Sequence, residues 1–142
     1  MVSQGQKPYL THEMTKKLLE SCEQKAKELN IAINVTVLDD GGNLKGFIRM
    51  DGAPLMGLQI SQKKAHTAVG FGIPTSDWYG IIKDQPELLH GLVQMDNMVI
   101  FGGGLPIYID SHVVGGIGVS GGSAEQDGIC AQAALGALPV SV

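Results

Sequence analysis

Between Thr11 and Asn30 the apolar residues Met14, Leu18, Cys22, Ala26 and Leu29 recur at spacings of three and four, which places them on one face of a helix. Thr11 stands where an N-cap is needed, Glu13 in the first turn favours the dipole, and Asn30 supplies a stop. The period then changes. Ile33, Val35 and Val37 alternate with Asn34, Thr36 and Leu38, the pattern of a strand with one buried face running to Asp39. Asp40-Gly41-Gly42-Asn43 is turn chemistry, and Leu44 to Met50 returns as the second strand of a hairpin.

Asp51-Gly52-Ala53-Pro54 ends that strand and opens a helix to about Val69. Leu55, Leu58, Ala65 and Val69 are its expected core contacts, with Gln62, Lys63 and His66 on other faces. Gly70-Phe71-Gly72-Ile73-Pro74 breaks the helix, Thr75 caps a shorter segment carrying Trp78, Ile81 and Ile82, and Pro86 opens a further short helix through Val93. The stretch from Gly70 to Asn97 is the least regular and the best candidate for a mobile cover. Three strands are expected next, Met98 to Gly102, Leu105 to Asp110 and Val113 to Ser120. Ser123 and Gln126 then form a capping box for a small-residue helix from Ala124 to Leu138. The order α-β-β-α-α-β-β-β-α, with hairpin connections, predicts an α+β domain with a largely antiparallel sheet.

At 142 residues and 44% hydrophobic content, the chain suffices for one core without metal or disulfide staples. The expected division is an N-terminal extension over residues 1–10 and a single domain over 11–142. A net charge of −4 with no basic run argues against nucleic acid as a partner. Charged residues at 17% are too few for a disordered chain, and no apolar run reaches the roughly 18 residues of a membrane span. Met1 to Pro8 has neither charged leader nor apolar stretch, so the expected location is cytoplasmic. Cys22 and Cys130 lack any CxxC spacing and read as buried reduced thiols. The 20 glycines are about twice the ordinary ~7% usage.

That glycine has two open uses. Gly102-Gly103-Gly104 between strands and Gly121-Gly122-Ser123 before the last helix can aim backbone N–H groups at a carboxylate, phosphate or propionate. Tight-turn geometry alone needs no ligand. Arg49, the lone arginine, is suited to clamp a carboxylate bidentately, or pairs with Asp51. Lys64 is either a solvated helix charge or a second cation at the same site. Of four histidines, His12, His66, His90 and His112, none has metal-motif spacing, but one imidazole suffices as an axial haem ligand. His66 and His90 are the better candidates. Trp78 and Tyr79 can wall a pocket for a flat ligand, although core burial explains Trp78 as well. Asp127 is either a helix-dipole partner or a general base facing a glycine-lined cavity.

An ordered series of segments carries a family resemblance: Val37-Leu38-Asp39-Asp40-Gly41-Gly42-Asn43-Leu44, Arg49-Met50-Asp51-Gly52-Ala53, Lys64-Ala65-His66-Thr67-Ala68, Gly102-Gly103-Gly104-Leu105-Pro106-Ile107, and Val114 to Gly122 with Gln126-Asp127. The chain resembles the GlcG/HbpS family of haem-binding-like proteins, which also forms the C-terminal domain of PduO-type proteins. The resemblance implies a profilin-like fold with a five-stranded antiparallel sheet, and homo-oligomers. It implies haem binding for some relatives and a small-molecule catabolic role for others, and it transfers no axial ligand.

Three readings follow. The first is a protein binding haem or another carboxylate-bearing ligand in a pocket of Arg49, Lys64, Trp78 and the glycine loops Gly102, Gly103, Gly104, Gly121 and Gly122. The second is a small catabolic enzyme in which Asp127 or His66 moves a proton during hydrolysis, deamination or isomerisation. The third is a non-catalytic accessory oligomer whose glycines permit close packing.

Overall fold

The computed structural model describes residues 4–138, so the outermost residues of the expected extension and domain, 1–3 and 139–142, lie outside the described residues. The elements are α1 (His12–Glu28), β1 (Asn34–Asp39), β2 (Leu44–Arg49), α2 (Met56–Phe71), α3 (Trp78–Ile82), α4 (Pro86–Gly91), β3 (Gly104–Ile109), β4 (His112–Ser120) and α5 (Ala124–Gly136). Every strand pairing is antiparallel, in the order β2-β1-β4-β3. The caps behave as their chemistry dictates. Thr11 Oγ1 accepts from the Met14 N–H at 3.1 Å, and Ser123 with Gln126 closes a complete capping box.

The sheet has four strands, not five, among the described residues. Met98 to Gly102 pairs with no strand, and its last two residues, Phe101 and Gly102, bend. Its backbone is met by a helix side chain instead: Thr67 Oγ1 accepts from the Val99 N–H at 3.0 Å and donates to Asn97 O at 2.8 Å. The apolar run that reads as a strand is buried through Met98 and Val99. β3 is therefore an edge.

The two faces of the sheet are packed differently. Val35, Val37, Ile117 and Val119 meet Leu18, Cys22 and Ala26 of α1 and Cys130, Ala131 and Ala134 of α5 in the main core. Leu10 is also in this core, so the packed unit includes the last residue of the expected extension. The other face receives α2 on small and polar residues. Ser61 Oγ lies 2.8 Å from Thr36 Oγ1. A Cβ at Gly116 would stand 2.5 Å from Ala65 O, and one at Gly104 2.5 Å from Lys64 O. The strand glycines thus let a helix backbone lie against the sheet. The expected contacts Leu55 and Leu58 are instead exposed, and α2 buries Gly57, Ser61, Lys64, Ala65, Thr67 and Ala68.

Cys22 and Cys130 are free thiols buried between α1 and α5. Burial is the largest influence on both, with the nearby Asp127 carboxylate adding to it. It pushes Cys130 up to about 11 and Cys22 well above the ordinary 9.0. In the unfolded chain both thiols ionise near 9.0. Above that pH the unfolded state holds fewer protons than the native state, so stability must fall as pH rises. Urea unfolding across the alkaline range should show this fall beginning near pH 9.0. The Cys22→Ala/Cys130→Ala variant, though less stable overall, should show a markedly shallower slope.

Candidate functional site

α2 and α5 lie on opposite faces of the sheet, yet one side chain from each meets the other beside the end of β4. Lys64 Nζ donates to Asp127 Oδ2 at 2.8 Å and to Val119 O at 2.7 Å. Asp127 Oδ1 accepts from the Gly122 N–H at 2.8 Å. Both side chains are almost fully enclosed, at 2% and 3% exposure. Burial holds Lys64 below its ordinary 10.5, against the opposing pull of the hydrogen bond and charge of Asp127. Above the amine, Gly103 adopts φ +123°, and a Cβ there would stand 2.5 Å from Nζ. The Phe101 ring centroid is 5.4 Å from Nζ, within range for a cation–π contact.

Outside this enclosure runs a groove. One part, of about 620 Å³, is lined by Tyr79, Ile100, Phe101 and Gly102. A second, of about 400 Å³, continues past Gly103 and Leu105 to Ile129. Both reach Ser76, Ala124 and Glu125. Tyr79, Phe101 and Ile129 are exposed, so the walls present apolar surface to solvent.

The structure brings Lys64, Asp127, Gly103 and Gly122 together, with Gly102 and Gly104 alongside. Two of the five glycine amides are committed within the protein: the Gly104 N–H donates to Thr75 Oγ1 at 2.9 Å and the Gly122 N–H to Asp127. Thr75 accordingly makes no cap bond to the helical turn that it begins. Gly121 packs against Ala32 and Ile33. Arg49 does not join them. It lies on edge strand β2, two strands from β4 and roughly 10 Å from it by strand spacing, and donates from Nε and Nη2 to Ala53 O at 3.3 and 3.2 Å. Trp78 is buried with Ile82 and Met98, edge-on to Phe71 at 4.7 Å between centroids.

His66 faces a different cleft, of about 320 Å³, lined also by Phe71, Met95, Asp96, Asn97 and Met98. The imidazole is half-buried beside the hairpin turn, where a Cβ on Gly42 would stand 3.0 Å from its Cε1. Gly70, one helical turn on, leaves the adjoining surface open. The sequence presents Phe101 and Met98 only as positions of an expected strand and Met95 only as part of the irregular stretch, none of them as a site residue. An aromatic before a glycine run hints at the first; nothing in spacing marks the methionines. His90 is exposed on α4.

Comparison with known proteins adds the following. A family model described as "Haem degrading protein HbpS-like" matches residues 10–136. An uncharacterized 15.0 kDa protein of the dhaT-dhaS intergenic region of Citrobacter freundii is 38% identical over 128 residues, 89% of each chain. The crystal structure of Klebsiella pneumoniae protein ORFY superposes with a TM-score of 0.85 at 33% identity, covering 96% of both chains. A crystal structure of a PduOC:heme complex superposes with a TM-score of 0.87 at 32% identity, covering 94% of this chain and 98% of that one.

Proposed function

The chain belongs to the HbpS-like family, and from that premise we propose that it binds haem, in the His66 cleft. The observation that carries this reading is the likeness to a haem-bound relative, joined to a half-buried imidazole beside two thioethers and an aromatic wall. The residues fit the group. One imidazole suffices for axial ligation, and methionine sulfur is a compatible second ligand or neighbour. Phe71, backed by Trp78, offers an aromatic surface for a macrocycle. Lys63 shares the helix face of His66 three residues away and supplies a cation for a propionate. A cleft of about 320 Å³ is at the small end for ligand sites, so part of the macrocycle stays outside it. When bound, haem would supply a redox-active iron.

This reading keeps the ligand expected from the sequence and moves its seat away from the Arg49 and glycine-loop pocket. Hemin titration followed by the Soret band tests it. His66→Ala should weaken binding by about tenfold or more, equivalent to ~1.4 kcal/mol, without changing the melting temperature. Arg49→Ala should bind as the unaltered protein does. Undiminished binding by His66→Ala overturns the reading.

A further inference from the structure

We propose that the groove beside Phe101 admits a small neutral carbonyl compound, an aliphatic aldehyde or ketone, which condenses with the Lys64 amine to an imine. This goes beyond haem binding and uses none of the residues of the His66 cleft.

Two groups stand between the amine and the groove. One is Gly103, whose main chain packs over Nζ and is held there as the Val119 N–H donates to Gly103 O at 2.9 Å. The other is Phe101, whose ring lies 5.4 Å from Nζ on one side and lines the groove on the other. Because that ring is 46% exposed, a rotation toward solvent opens the path without disturbing the core. The groove suits the ligand class: its walls are mostly apolar, and Glu125 at its rim repels a carboxylate.

Asp127 accounts for the protons. Burial makes Lys64 readier to give up its proton than an exposed lysine, and the Asp127 carboxylate is the acceptor beside it. Lys64 Nζ passes a proton to Asp127 Oδ2 at 2.8 Å, and its lone pair attacks the carbonyl carbon. The carbonyl oxygen, taking a proton from the nitrogen, becomes the hydroxyl of a carbinolamine. Asp127 then returns its proton to that hydroxyl, water departs, and the C=N bond forms. The resulting iminium faces the Asp127 carboxylate, so one carbonyl and one amine yield one imine and one water. The Gly122 N–H fixes the other carboxylate oxygen throughout.

The test is reductive trapping on the intact, haem-free chain. Protein is incubated near neutral pH with butanal and cyanoborohydride, digested, and each lysine is scored for alkylation by mass spectrometry. Lys64 should label at least several-fold faster than exposed Lys16, Lys17 and Lys83, and Phe101→Ala should accelerate Lys64 alone. 2-Oxobutanoate should label Lys64 at least tenfold more slowly than butanal. Labelling confined to the exposed lysines, or of Lys64 only after unfolding in urea, overturns the proposal. Equal labelling by the keto acid overturns the neutral class of ligand. Since no haem is present, neither result bears on the His66 cleft.

Discussion

Replacing Gly118 by alanine is expected to destabilise the protein by about 3 kcal/mol or more, lowering its melting temperature by about 10 °C. A Cβ at that position would overlap Ser61 O, and would also lie 2.6 Å from the Ala65 nitrogen and 3.0 Å from Lys64 Cβ. The first two obstacles are main-chain atoms of α2, which cannot rotate away as a side-chain tip can. The helix must lift off the sheet. Doing so strains the Ser61–Thr36 hydrogen bond and the seat of Lys64 together. Domains of ordinary stability hold only about 5–15 kcal/mol in all, so this one methyl group removes a large fraction. Gly128→Ala is the control. Gly128 lies on α5 rather than on the sheet, and nothing lies within 4 Å of its missing Cβ. The exchange should stabilise α5 by about 0.5–1 kcal/mol through reduced chain entropy. Thermal and urea unfolding of both variants check the pair. A Gly118→Ala protein as stable as the original would mean that α2 is not held at glycine distance.

Legibility along the chain follows how far each signal reaches. α1, the β1–β2 hairpin and the capped start of α5 are readable because local chemistry decides them: an apolar face, an Asx turn in which Asp39 Oδ1 accepts from the Gly41 and Asn43 N–H groups, and a capping box. α2 has the right extent but not the right face. Ala65 is buried as expected, but a helix lying on a glycine-lined sheet also buries Gly57, Ser61 and Thr67, and these carry no hydrophobic signal. The same cause hides Lys64, since a lysine within a polar stretch reads as solvated unless its carboxylate partner, 63 residues away, is known. Met98 to Gly102 misleads in the opposite direction. Its first two residues are buried, but Met98 packs with Trp78 and Ile82, and the Thr67 hydroxyl stands in for a neighbouring strand. The glycine clusters were legible as unusual. What they accommodate is in good part the protein itself, with Gly104 donating to Thr75 and Gly122 to Asp127.

Asp127→Asn should be the most damaging single change at the buried pair, costing about 3–5 kcal/mol near neutral pH. The amide keeps an oxygen for the Gly122 N–H and nearly the same shape, so little packing is lost. What changes is that Lys64, at 2% exposure, loses its counter-charge. The ammonium must then either stay buried and unpaired or give up its proton. The second route makes the loss depend on pH, and its sign can be fixed. Lys64 already titrates below its ordinary 10.5, and removing Asp127 removes both influences that raise it. Between the lowered native value and 10.5 the unfolded chain holds more protons than the variant's native state, so the variant's stability rises with pH across that window. The alkaline fall caused by Cys22 and Cys130 acts on both proteins and largely cancels in their difference. The unaltered protein gains likewise once pH passes its own, less lowered Lys64 value, so the deficit of Asp127→Asn should shrink between the two native values, both below 10.5. Adding Lys64→Met should restore most of the stability at neutral pH, because no charge then remains in the enclosure. A deficit independent of pH, or a double variant no better than the single one, would show that the lost carboxylate matters for its hydrogen bonds rather than for its charge.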